Sequence, residues 1–290
     1  MIGLKRGEVK LLPYDAEWGE VTHRTIEVLK EIFGGVAEDV QHIGSTAVPS
    51  IKAKPIIDIV VGVTSIEAAL TLVPDLEAAG FIRRHVSQDE DHLFFSCVGD
   101  EENVRTHHVH VVPYGENRWV SYVALRDYLK NDASAAKEYE RLKEELASKY
   151  PEDRSAYTEA KKEFLHFATR KAVVKYYLGK TVHIEIDRPI GFLHEKKPES
   201  ILYPINYGYI PKVLGGDDEE LDVYLLGVTE PVSEYTCRII GIVYRSDDVE
   251  DKLIASPEGM TFTREEMASA VDFQEKYHDS IVYAPHSSDN

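Results

Sequence analysis

The sequence predicts two domains, an α/β domain followed by a strand-rich domain that closes with one helix. Three observations lead there. Up to about residue 177, segments with helical spacing alternate with apolar β-branched runs. Gly179 then supplies a helix stop, and from KTVHIEIDRPIG onward strand patterns dominate until a final helical stretch over 263–279. The length of 290 residues is enough for two cores of average size. The boundary is placed near residue 178, with domains over 8–176 and 179–282.

In order, a short strand-like lead (EVKLLPY) precedes a helix from Asp15, its N-cap, to Gly34, with Trp18, Val21, Val28, Leu29 and Ile32 near helical spacing. Ile56 to Val61, between Pro55 and Gly62, reads as a central strand, and Asp58 inside it is costly unless paired or part of a site. A helix over Ser65–Ala79 leads into a hairpin through FIRRHVSQDEDHLFFSCV. In the next strand, RTHHVHVVPY, His108, His110 and Val112 share one face while His107, Val109 and Val111 share the other. Helices follow from Ser121, over Asp132–Lys149 up to the breaker Pro151, and over Ser155–Tyr177. Strands are then expected in VHIEID, DVYLLGV, TCRIIGIVYR and KLIASP, and the tail YAPHSSDN is expected to fray.

Composition narrows the function. Hydrophobic residues at 43% and aromatics at 10% are those of a globular chain. The net charge of −18 argues against wrapping a DNA backbone, which needs a basic face. Polyphosphate chemistry in so acidic a protein requires cations placed locally, as Lys, Arg or metal. Cys97 and Cys237 sit in apolar, strand-like runs and read as core residues in a reducing compartment, not as a disulfide framework. No apolar run approaches the ~18 residues of a membrane span, and MIGLKRGEVK lacks a signal-peptide core. A soluble cytoplasmic protein with no membrane partner is expected, and a homo-oligomer is compatible with the sequence.

The Gly44–Ser45 turn, followed by Asp58 on a buried strand, is the skeleton of nucleotidyltransferase sites. There a small turn lets backbone N–H groups approach a triphosphate and strand carboxylates hold Mg²⁺. Such sites use two carboxylates two positions apart, and here Ile59 and Val60 follow Asp58. Lone histidines such as His108 and His110 are more often hydrogen-bonded core residues than ligands, and imidazole suits zinc or iron better than magnesium. The segments HIGSTAVPSIKAKPIIDIVV, RTHHVHVV, LRDYLKND and DRSAYTEAKKEF together resemble the GrpB (UPF0157) family over residues 8 to 172. The resemblance implies a nucleotidyltransferase-like fold of undefined substrate, with Gly44, Ser45, Lys54, Asp58, Arg105, His108 and His110 around its cleft.

The second constellation is YPINYGYIPKVLGGDDEELDV, with five carboxylates in the six positions 217–222 at the entry to an apolar strand. A short charge run is ordinarily a solvated turn, but divalent cations also gather several carboxylate oxygens. RSDDVEDKL brings a second acidic group between two strand-like runs. Two acidic loops can hold paired metals that clamp a phosphate and activate a bridging water. Arg188, Lys196, Tyr207, Lys252 and Tyr277 are the cations and hydroxyls available to phosphate oxygens. The alternative for the tyrosines is core packing, and for Arg188 a surface ion pair.

At these residues the chain resembles magnesium-dependent family I soluble inorganic pyrophosphatases, over about residues 179 to 281. The resemblance implies a small OB-like β-barrel of pyrophosphatase type with a C-terminal helix, Mg²⁺ (or Mn²⁺) as cofactor, and a small phosphoanhydride as substrate. Asp217 and Asp222 match the first and last aspartates of the family's metal loop, and Glu219 stands for the middle one. Asp247 and Asp251 match the second metal loop and Lys252 the phosphate-binding lysine. Glu185 matches the acidic position of the opening strand, and Tyr277 the late-helix tyrosine, with His278 where lysine is usual. Asp217, Asp222 and Tyr207 are the implied catalytic group. The section between Glu185 and Tyr203 is short, so Arg188 and Lys196 stand in for its missing cations. Hydrolysis of pyrophosphate is the function implied. The alternative is a phosphate- or nucleotide-binding regulator whose catalytic sites are degenerate.

Overall fold

The computed structural model describes residues 1–84, 91–99, 103–195 and 200–285. The chain forms two compact units, Met1–Thr169 and Arg170–Asn290.

The first unit is a mixed sheet covered by helices. Its elements are β1 (Leu4–Lys5), α1 (Glu17–Phe33), β2 (Ala37–Ile43), β3 (Ile57–Val63), α2 (Ile66–Thr71), α3 (Val73–Ala78), β4 (Ile82–Arg84), β5 (Leu93–Val98), β6 (Val104–Pro113), α4 (Asn117–Asn131), α5 (Ala133–Lys149) and α6 (Arg154–Ala160). Helix α7 (Lys162–Tyr177) carries the chain across the division between units. The strand order is β2-β3-β6-β5-β4, with β1 on β6, and β3 runs parallel to β6. That pairing puts Asp58 opposite His108 and Val60 opposite His110. Ile57, Ile59, Val61, Val109 and Val111 form the core on the other face, against Trp18, Leu29 and Phe33 of α1. Period-two alternation thus sends Asp58, His108 and His110 to the face away from α1.

Several boundaries differ from the sequence reading. The helix expected over Ser65–Ala79 is two short ones, because Pro74, with no N–H to donate, takes the first turn of α3. Asp15 lies one residue before the cap Ala16, and its carboxylate accepts the Glu17 amide. Helix α4 begins at Asn117 rather than at Ser121, after a turn at Gly115, and buries Trp119 and Val120. The helix expected over Ser155–Tyr177 is interrupted at Lys161, which nothing in the local sequence marks. Strand β2 escapes a sequence reading because in AEDVQHI only Val40 and Ile43 are buried.

The second unit is a closed five-strand barrel. It comprises β7 (Thr181–Arg188), the short pair β8 (Leu193–His194) and β9 (Ile201–Leu202), β10 (Asn206–Leu214), β11 (Glu220–Leu225), β12 (Glu234–Arg245), β13 (Lys252–Ser256), α8 (Arg264–Glu275) and β14 (Ser280–Tyr283). The order β13-β11-β10-β7-β12 closes through pairing of β12 with β13. Strand β14 adds to the end of β12, so Tyr283, expected to fray, is paired with Ile242. The core is aromatic: Tyr203, Tyr207 and Tyr224 pack with Phe273, Met267 and Val271 of α8. Thr263 and Glu266 form a reciprocal capping box at the start of α8. Thr263→Ala is expected to cost about 1 kcal/mol of second-unit stability, read as a lower denaturation midpoint.

Candidate functional site

A cleft of about 420 Å³ opens on the barrel, lined among others by Asp187, Arg188, Tyr207, Asp217, Glu219, Asp222, Glu250 and Lys252. Strand alternation aims these groups. In β11, Asp222 lies between buried Leu221 and Val223 and faces the opposite way. It pairs in register with Tyr209, next to the Tyr207–Tyr224 pair. The Tyr207 hydroxyl donates to Asp222 Oδ2, and the buried Lys252 ammonium donates to both of them and to Glu250 Oε1 at 2.8 Å. Arg188 stands 5.0 Å over the Tyr207 ring and donates to the Tyr203 hydroxyl at 2.9 Å. Cations and hydroxyls therefore share one face of the cleft with Asp222 and Glu250, and the loop carboxylates Asp217 and Glu219 form another.

That loop is held by its backbone. The Gly215 amide donates to the Glu219 carbonyl at 2.7 Å, the Glu219 amide donates to Asp217 Oδ1 at 3.1 Å, and Asp218 turns the chain at φ 66°. Gly216 is required there, since a Cβ would lie 1.7 Å from the Val249 carbonyl oxygen. The contact docks the first acidic loop on the second.

The second loop differs from the reading of the sequence. Two positions before Lys252 stands Glu250, and both line the cleft while Asp251 does not. Asp251 is buried, and its Oδ1 accepts from Arg170 at 2.7 Å and from the Arg245 amide at 3.1 Å. Asp247 also stays outside the cleft, 3.4 Å from His278 Nδ1. Arg245 fills the base of this loop, donating to Glu275 at 2.7 and 3.0 Å, to Asp248 at 3.0 Å and to Glu250 at 3.4 Å. Of the other expected substrate residues, Glu185 accepts from the Tyr209 hydroxyl at 2.8 Å beside the cleft. Tyr277 is exposed beyond the end of α8, where Gln274 lines the cleft instead. Lys196 lies outside the described residues. Asp187 and Arg245 were not singled out by the sequence reading, and Glu250 was named in the second acidic group but not among its expected ligands, although the even spacing from Lys252 marks it.

Electrostatics sets the cleft carboxylates Glu250 and Asp222 apart. Burial and the hydrogen bond with Asp222 raise Glu250 to about 8. Burial opposes ionisation of Asp222 too, but Glu250, Lys252 and Tyr207 hold it below the usual carboxylate range. Burial and Asp222 push the Tyr207 hydroxyl well above its ordinary value. The donors Asp217, Glu219 and Asp222 are hard oxygens of the kind that suit Mg²⁺ or Mn²⁺. Among the described residues no three such side chains are already gathered as a chelate. On Asp222 and Glu250, Lys252 holds the place of a counter-cation.

In the first unit, a pocket of about 200 Å³ is lined by Gly44, Ser45, Asp58, His110, Tyr122, Arg126 and apolar side chains. Gly44, at φ 71°, is needed because a Cβ would meet Asp58 Oδ2 at 2.5 Å. His108 Nδ1 lies 2.9 Å from Asp58 Oδ1, and His110 Nδ1 lies 3.0 Å from His92 and 3.3 Å from the Tyr122 hydroxyl. Burial opposes ionisation of Asp58, but the hydrogen bond with His108 holds its carboxyl below the usual range. Burial pushes His110 down to about 3, so it is neutral and hydrogen-bonded. Lys54 stacks on Tyr157, and Arg105 is half-buried on β6 beside β1.

The family model "GrpB protein" matches residues 8–171, and the model "Inorganic pyrophosphatase" matches residues 172–283. The glutamate-rich protein GrpB of Alkalihalophilus pseudofirmus is 38% identical over 57% of this chain and 96% of its own. The crystal structure of the conserved protein GrpB from Enterococcus faecalis is 30% identical, with a TM-score of 0.54, over 58% of this chain and 99% of that one. The inorganic pyrophosphatase of Ehrlichia chaffeensis aligns over 37% of this chain and 87% of its own at 20% identity, with a TM-score of 0.30, which adds nothing to the family match. No helix among the described residues is long and apolar enough to cross a membrane. With its nucleotidyltransferase-like first unit and barrel second unit, the chain belongs to the GrpB family and carries an inorganic pyrophosphatase domain fused behind it.

Proposed function

We propose that the barrel domain hydrolyses inorganic pyrophosphate to phosphate with Mg²⁺. The observation that carries this reading is the composition of one cleft. The same cleft is lined by carboxylate oxygens of the kind that suit a hard cation, Asp217, Glu219 and Asp222, and by cations and a hydroxyl suited to phosphate oxygens, Arg188, Lys252 and Tyr207. Magnesium bound there would supply charge neutralisation and an activated water. Arg188 and Lys252 would orient the phosphoryl oxygens, and Tyr207 holds Asp222 in place. Glu219, one methylene longer than aspartate, still reaches the cleft from the loop. Incubation with pyrophosphate and Mg²⁺ is expected to release phosphate, and chelation with EDTA to stop it. Release unaffected by EDTA would remove the metal from this reading.

Binding without turnover has one observation in its favour. Lys252 already pairs with Asp222 and Arg245 with Asp248, so these carboxylates have less charge to offer a metal. Calorimetry showing tight pyrophosphate binding and no phosphate product would favour that reading over catalysis.

A further inference from the structure

In a protein of net charge −18, several cations gather near Asp58. Lys54 and Lys161 place their ammonium groups 4.8 and 4.6 Å from the centroid of the same Tyr157 ring. Arg154, three positions before Tyr157, puts Nη2 3.3 Å from His108 Nε2, and the other nitrogen of that ring bonds Asp58. Lys143, 2% exposed, donates to the Ser45 hydroxyl and the Lys52 carbonyl, both uncharged. Among the described residues, none of these four cations forms an ion pair with a carboxylate. The Tyr157 hydroxyl, fully buried, has no hydrogen-bond partner. Burial and the charges of Lys161 and Arg154 push Lys54 down to about 7, and burial with Lys161 pushes Lys143 to about 7.

Like charges are held this close when a ligand answers them, and an oxyanion with several acceptor oxygens suits converging ammonium and guanidinium groups. We infer that Lys54, Arg154 and Lys161 form a binding site for a phosphoryl anion beside Asp58, holding the phosphate oxygens directly through their cationic donors. Asp58, through His108, sets the position of Arg154. The anion is free phosphate or polyphosphate, or the phosphate chain of a nucleotide. Contact with the same Tyr157 ring limits how far the two lysines can swing, so the cations are positioned before the ligand arrives.

The test is calorimetry on the full chain in EDTA, with inorganic tripolyphosphate and, separately, ATP as probes. Because the barrel cleft also offers cations, all titrations use an Arg188→Gln background. Adding Lys54→Met and Lys161→Met is expected to weaken both probes about tenfold or more, the scale of losing charge-assisted contacts. In anion-free buffer the same double change is expected to leave the first-unit melting midpoint equal or higher, because the repulsion is relieved. This separates a lost site from a lost fold. Tighter ATP than tripolyphosphate identifies a nucleotide source, and the reverse order a free polyphosphate. Either order supports the site when both probes depend on the lysines. Unchanged binding in the lysine variant overturns the inference.

Discussion

Replacing Asp222 with asparagine is expected to reduce phosphate release from pyrophosphate by about 100- to 1,000-fold, the scale of removing one preorganised electrostatic group from an active site. Asp222 bonds Tyr207 and Lys252 and lines the same cleft as the loop carboxylates Asp217 and Glu219, so its charge serves both proposed metal and phosphate contacts. Asparagine preserves shape, and without the Asp222 charge beside it Glu250, 2.8 Å from Lys252, ionises more readily and compensates the buried ammonium. Stability should therefore fall by only about 1–3 kcal/mol, measured by denaturant titration alongside the phosphate assay. Full activity in Asp222→Asn would sink the site assignment.

Arg245→Met is expected to destabilise the second unit by about 3–5 kcal/mol, because it strands buried carboxylates without their counter-charge. The Arg245 and Glu275 side chains are 2% and 5% exposed, so solvent cannot screen what is left. Arg238 and Glu258 supply the contrast. That pair is 48% and 64% exposed at 3.1 Å, and Arg238→Met should cost less than about 1 kcal/mol. Equal losses in the two variants, compared at the second-unit unfolding transition, would show that Arg245 does not hold the second acidic loop together.

These two residues also mark how far the chain could be read without coordinates. Period and composition were enough for the domain order, the strand bearing Asp58, and the loop from Asp217 to Asp222. The side of β13 was harder to read. A run such as DDVEDK offers acidic residues at every phase, and only the pleat decides which of them reach the cleft with Lys252. Motif matching pointed to Asp251, whereas alternation counted back from Lys252 selects Glu250. Arg245 was hidden for a different reason. It ends an apolar strand, where an arginine looks like a solvent-facing terminus, and its four acceptors come from the loop and from α8. Long-range pairing of that kind leaves no local signal. In the first unit the Gly44–Ser45 turn was legible because glycine at a left-handed position is a steric demand. The cations around Tyr157 were legible only in part: Lys54 was expected at the cleft, but it lies far in sequence from Arg154 and Lys161, which flank Tyr157 at the two ends of α6.

Strand β12 pairs with β7 through Glu234–Arg238, with β13 through Arg238–Val243 and with β14 through Ile242–Arg245. A sheet closed in this way has few unpaired edges through which strand proteins recruit copies of themselves. The outer rim of β14, with Ile281 62% and Tyr283 46% exposed, is where that protection stops. At high concentration, self-association by strand addition would start there rather than at the barrel wall.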